Sequence, residues 1–134
     1  MDCTLLEEVI FESGSQLKTV GGSAFRNCGA LSNFILPSGV GTIGSSAFKG
    51  CASLTSFTIV STVTKIGSGA FDECSSLTSV TFESLTNWYY SLNDYDTTSP
   101  KPTLYEISVD LSDPAVAAQY LTSTLCSYHW RRSV

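Results

Sequence analysis

The sequence predicts a repeat solenoid, mostly β with little helix. Stacked coils would each contribute one short parallel strand, and a small α+β segment would close the C-terminal end. Three observations carry this. Ala24-Phe25…Cys28…Leu31 recurs as Ala47-Phe48…Cys51…Leu54 and again as Ala70-Phe71…Cys74…Leu77, at one constant offset. Small, aromatic and apolar residues fixed on a period between about 20 and 50 residues mark stacked repeats. After each Leu, two further apolar residues alternate with other residues, which is the period of a strand. From Ser91 the period stops, and the composition changes to loop, strand and helix-start signals. The expected organisation is therefore a repeat region over 1–90 and a capping segment over 91–134.

Taken in order, the strand anchors are Leu6-x-x-Val9-x-Phe11, Leu31-x-x-Phe34-x-Leu36, Leu54-x-x-Phe57-x-Ile59 and Leu77-x-x-Val80-x-Phe82. They place short parallel strands near 8–12, 33–37, 56–60 and 79–83. Core-filling pairs follow: Leu17 with Val20, Val40 with Ile43, Val63 with Ile66, and in the fourth unit Leu85 with Trp88. The first unit carries extra residues, placed in Glu12-Ser13-Gly14-Ser15. Gly21, Gly44 and Gly67 come next, at a point where glycine allows a positive φ without steric cost. Phe25, Phe48 and Phe71 then share one position and are expected to stack into an aromatic spine. A single coil cannot bury its own apolar edges, so stability must come from the stacking.

Composition narrows the function classes. Charged residues are 14% of the chain, against an average of about a quarter. Ser and Thr take their place on the solvent side. The net charge of −5 argues against nucleic acid as a partner, because phosphate binding needs clustered Lys and Arg. Arg131-Arg132 is a pair and not a patch. No apolar run is long enough to insert in a membrane. Met1-Asp2-Cys3 leads straight into a repeat with neither a signal peptide nor a polar cap. The chain is therefore expected either to be a piece of a longer array or to carry an added Met.

Cys3, Cys28, Cys51 and Cys74 share one repeat position, and Cys126 stands outside the array. Strands roughly 5 Å apart would bring such thiols within disulfide range. Regular spacing favours a buried thiol column instead, with each Cys acting as a small hydrophobe. Zinc needs ligands converging on one point, whereas a ladder spreads them along a line. No metal and no cofactor is expected.

The unit Ile43-Gly44-x-x-Ala47-Phe48-x-x-Cys51-x-x-Leu54-x-x-Phe57-x-Ile59 resembles the BspA-like leucine-rich repeat, over about residues 3–90. The resemblance implies a right-handed leucine-rich-repeat superhelix with strands on one face and turns or short helical segments on the other. It also implies a place on the cell surface or in a secreted protein, and a role in adhesion for some members. Departures are the extra residues of the first unit, Val60 where the second unit has Pro37, and a degenerate last turn.

In the C-terminal segment, 91–103 with Pro100 and Pro102 reads as a loop, and 104–109 as one more strand. Ser112-Asp113-Pro114 is a helix start, with a capping side chain before a proline in the first turn, and 115–121 as its helix. Residues 124–130 return as an extended segment. The expected role is to cover the apolar end of the last coil. Its Trp- and Tyr-rich composition is similar to tails that close bacterial members of the repeat family.

The outward strand positions form a grid of candidate binding residues. One column is Glu8, Asn33, Ser56 and Ser79; the next is Ile10, Ile35, Thr58 and Thr81; the third is Glu12, Pro37, Val60 and Glu83. Ile10, Ile35 and Val60 are apolar on an outward face, which marks a contact surface unless strand propensity alone selects them. Trp88-Tyr89-Tyr90 with Tyr95 could stack on sugar rings or could pack inward, and the alignment puts Trp88 inside. Cys126 and His129 have a Cys-x-x-His spacing that supplies too few ligands for zinc. No serine has the setting of an activated nucleophile. Asp72-Glu73 and Asp94 with Asp96 lack the spacing of calcium loops. The expectation is a non-enzymatic, adhesin-like module that binds a protein, such as a host matrix or cell-surface protein, through its concave strands. The alternatives are a structural spacer that self-associates through its N-terminal edge, and a glycan-binding module using Tyr89, Tyr90 and Tyr95.

Overall fold

The computed structural model describes residues 2–94, 98–107 and 110–133. Among them strand is the dominant regular structure, with a single α-helix. The first unit contributes β1 (Glu8–Val9) and β2 (Thr19–Val20), the second β3 (Asn33–Phe34) and β4 (Thr42–Ile43). The third contributes β5 (Ser56–Ile59) and β6 (Lys65–Ile66), the fourth β7 (Ser79–Phe82) and β8 (Trp88–Ser91). Then come β9 (Tyr105–Glu106), α1 (Pro114–Gln119), a π-helical turn over Tyr120–Thr124, and β10 (His129–Arg132). The expected strand over 104–109 is the short β9; Ser108 and Val109 lie outside the described residues.

Each unit thus carries two strands, which corrects the expectation of one. The first set of strands is parallel and follows the Leu anchors, as two separate pairs, β1 with β3 and β5 with β7. Glu8 pairs with Asn33, and Ser56 through Ile59 pair with Ser79 through Phe82. The second is formed by the Val20, Ile43 and Ile66 positions, with Thr19, Thr42 and Lys65 in parallel register. These strands are two residues long, too short for alternation to show in the sequence.

The second ladder also holds the least expected topology. Its order is β2-β4-β6-β10-β8-β9. β8 is the fourth unit's own second strand, yet it does not sit against β6. β10 lies between them, antiparallel to both, with Trp130 opposite Ile66 on one side and Tyr90 on the other. The C-terminal segment therefore enters the repeat ladder and does more than cover its end. Displacement of β8 also explains why Leu85, expected in the core, is half exposed while Trp88 is buried.

Interior packing follows the repeat. Phe25, Phe48 and Phe71 stack with centroids 5.5 and 5.4 Å apart and planes 11° and 9° from parallel. Phe34 and Phe57 form a second column, and their rings meet the first column edge-on at 4.8 to 5.1 Å. The result is a herringbone of five rings, the arrangement that ring quadrupoles favour. At the other end Trp130 stacks on Phe82 and meets Trp88 edge-on. The Asp113 carboxylate accepts from the N–H groups of Ala115 and Val116, with Pro114 in the first helical turn. Capped in this way, α1 buries Ala117 and Ala118 and packs against β7.

The expected positive φ at Gly21, Gly44 and Gly67 is not found. It occurs two residues later, at Ser23, Ser46 and Gly69, and six residues later, at Asn27, Gly50 and Glu73. What keeps Gly44 and Gly67 as glycine is close approach. An added Cβ at Gly44 would meet the backbone of Gly21 and Gly22, and one at Gly67 would meet that of Ser45.

Candidate functional site

Side chains alternate across a strand, so the residues flanking each buried anchor face outward. Glu8, Ile10 and Glu12 flank Val9 and Phe11 in this way, as Asn33, Ile35 and Pro37 flank Phe34 and Leu36. Glu8 and Asn33 are in register, and the Asn33 amide donates to the Glu8 carboxylate. Ile10 and Ile35 directly follow the paired Val9 and Phe34 and are 78% and 72% exposed. The six residues line one groove of about 530 Å³.

Its far wall is Ser13, Gly14 and Ser15, the segment in which the first unit is longer than the others. The extra length was visible in the sequence; that it walls a groove was not. Glu8 and Glu12 are its charged lining residues, and no Lys, Arg or His lines it.

The rest of the grid is more mixed. Ser56, Thr58 and Thr81 are exposed, and Ser79 is partly covered. Val60 is half-buried and packs against the core, unlike the two isoleucines. The Glu83 carboxylate accepts from the N–H of Ser61 at 2.7 Å, tying adjacent units together. The groove residues and the lower half of the grid therefore do different things. The upper half presents apolar surface between carboxylates, and the lower half is hydroxyl-rich.

Among the other candidates, Tyr90 is stacked on Tyr105 at 5.2 Å and meets Tyr128 edge-on at 5.1 Å. Tyr89 stands in register with Arg131 and Glu106, away from that cluster. Tyr95 and Asp96 lie outside the described residues. Asp72 and Glu73 are both paired with Lys49, at 2.9 and 3.3 Å. Their hydrogen bonds, led by that of Asp72, hold the lysine ammonium above its ordinary range. Cys126 donates to the carbonyl of Ser123. His129 lies in β10 beside a small cavity of about 100 Å³ between Gly44, Gly67 and Trp130. Among the described residues no group of three or more His, Cys, Asp or Glu converges as a metal site would require.

All five cysteines are free thiols, with Cys28, Cys51 and Cys74 buried. Burial pushes the Cys51 and Cys74 thiols up to about 12 from an ordinary 9.0. Burial likewise raises Cys28. A thiol held this high is not a nucleophile near neutral pH.

Strand pairs repeated along the chain, a ring herringbone and an outward strand groove define a β-rich repeat module. The chain belongs to the BspA-type leucine-rich repeat family, whose profile matches residues 1–96 in six copies. Modules of this family are typically non-enzymatic and often serve protein binding or adhesion. No curated protein and no solved structure matches the chain. No helix among the described residues is long and apolar enough to cross a membrane.

Proposed function

We propose that this chain is a non-enzymatic protein-binding module of a surface or secreted protein. In this reading residues 1–90 wind as a right-handed solenoid, and 91–134 close it by inserting β10 and laying α1 on β7. The outward strands become its concave face, the surface such repeats use for binding. One observation carries the assignment: Ile10 and Ile35 lie more than two-thirds exposed in a single groove. Apolar side chains held in contiguous exposed surface mark an interaction site. Extracellular placement agrees with the family and with a hydroxyl-rich exterior.

The test is a binding screen of the full chain against extracellular matrix and cell-surface proteins, with Ile10→Glu/Ile35→Glu as the control. A saturable partner lost in the double variant supports the reading. A partner retained by it moves the site elsewhere.

A second reading, self-association, draws on the exposed Leu5 and the half-buried Leu6, Val9 and Phe11 of the first unit. An apolar unit face pairs readily with another copy. Light scattering over a concentration series separates the two: a mass that rises with concentration favours assembly.

A further inference from the structure

We propose that the groove between the first two units takes an extended cationic peptide, with basic residues on either side of an aliphatic one. This rests on the protein-binding reading and names the chemistry of its partner. From Glu8 in β1 onward the exposed residues are Glu8, Ile10 and Glu12, alternating with the half-buried Val9 and Phe11 as an acid–aliphatic–acid series at every second position. Residues on one face of an extended chain repeat about every 6.6 Å, so the two carboxylate-bearing positions lie roughly 13 Å apart with the isoleucine midway. A second extended segment has the same repeat. One that carries Lys or Arg, an aliphatic residue and again Lys or Arg at alternate positions therefore matches the strand residue for residue.

The surroundings strengthen the match. Ile35 and Pro37 widen the apolar floor beside Ile10. The Asn33 amide holds the Glu8 carboxylate on the outward face by donating to it. No cationic side chain lines the groove, and the chain as a whole carries −5. The lining carboxylates and the net charge therefore favour a positive partner, with the Lys18 ammonium outside the lining, beside Gly39. A neutral peptide would gain the apolar contact alone, and an acidic one would face two carboxylates with no counter-charge in the lining.

The experiment uses three synthetic peptides that share a central leucine and differ only in its flanking pair: Lys, Ser or Glu. Each is titrated into the full 134-residue chain by calorimetry, and then into Glu8→Gln/Glu12→Gln and Ile10→Ser/Ile35→Ser. Thermal melts check that the exposed substitutions leave the fold intact. The lysine peptide should bind about tenfold tighter than the serine peptide at low salt, the sum expected of two exposed pairs. That preference should disappear in the Glu8/Glu12 variant and shrink as salt shortens the screening length below roughly 10 Å. The Ile10/Ile35 variant should lose binding of every peptide. Equal binding of all three peptides overturns the cationic assignment while leaving the protein-binding reading in place. Binding to none of them overturns the assignment and counts against the groove as a peptide site. Preference for the glutamate peptide overturns it outright.

Discussion

The Cys51 thiol donates to the carbonyl oxygen of Phe25 in the preceding unit, 3.2 Å away. Cys74 repeats this to Phe48 at 3.1 Å. Each conserves the stacking direction: a thiol in one unit satisfies a carbonyl at the aromatic position of the unit before it. Cys28, Cys51 and Cys74 of the in-register column are free and buried. They are small apolar residues that also carry a weak donor.

This arrangement sets a pH dependence. The folded thiols of Cys51 and Cys74 lie near 12, and an exposed thiol lies near 9.0. Burial favours the neutral form, so the unfolded chain releases these protons first. Stability from them is fully present below about pH 9 and is lost as pH rises toward the folded values. Chemical denaturation between pH 8 and 11.5 should show this fall, and Cys51→Ala/Cys74→Ala should flatten it. At pH 8 a thiol reagent should label Cys3 and Cys126 well before Cys51 and Cys74 in the folded protein. Equal labelling rates would contradict the buried column.

The herringbone predicts a graded cost along one repeat position. Phe48 has ring neighbours on both sides of both columns, whereas Phe25 lies at the half-buried end. Phe48→Ala should destabilise by roughly 3–5 kcal/mol, the usual cost of emptying an aromatic core site. Phe25→Ala should cost clearly less. Phe48→Leu keeps most of the volume and loses the ring pairs, each worth about 0.5–1.5 kcal/mol. Urea midpoints for the three variants decide the order.

Glycines at one repeat position should differ for reasons of space. Nothing lies within 4 Å of a Cβ added at Gly21, whereas Gly44 and Gly67 face the backbone of the preceding unit. Gly21→Ala should be close to neutral. Gly44→Ala and Gly67→Ala should each cost about 1–3 kcal/mol, as overpacking does. The left-handed residues act in the opposite sense. Ser46 has φ 57°, and a non-glycine residue there is strained by about 1–2 kcal/mol, so Ser46→Gly should raise the melting temperature. If all three glycine variants behaved alike, close approach would not be what selects glycine.

The sequence made the repeat legible because each element leaves a mark at fixed spacing. The Leu anchors located the first set of strands, Phe25, Phe48 and Phe71 the aromatic column, and Asp113-Pro114 the start of α1. What escaped has a physical cause. Thr19-Val20 and its equivalents are too short for periodicity, so the second ladder was hidden. Serine and glutamate at positive φ leave no compositional mark, so the left-handed positions were assigned to the wrong residues. Pairing of β10 with β6 joins residues far apart in the chain, and nothing local announces it. In the candidate site, Ile10 and Ile35 were legible as outward apolar residues. The wall formed by Ser13–Ser15 and the inward packing of Val60 follow from three-dimensional packing alone.

Insertion of β10 predicts that the C-terminal segment holds the repeats together. Trp130 is 2% exposed, stacks on Phe82 with planes 16° apart, and donates its indole N–H to the carbonyl of Leu125. Arg132 ties the third and fourth units by donating to the carbonyls of Ser61 and Val63 and to the Ser84 hydroxyl. Trp130→Ala should cost roughly 3–5 kcal/mol by opening a cavity between β6 and β8. Because β10 touches both strands, the loss should spread through the ladder and leave unfolding as one transition. Hydrogen exchange at the amide of Ile66, which stands opposite Trp130, should then accelerate along with that of Tyr89, opposite Arg131. Were the segment only a cover on the last unit, exchange would quicken at β7 and β8 and stay slow at Ile66. The Lys65 and Gly67 amides donate to Gly41 and Ile43, on the side away from β10, so Ile66 is the amide whose exchange separates an inserted strand from a cover.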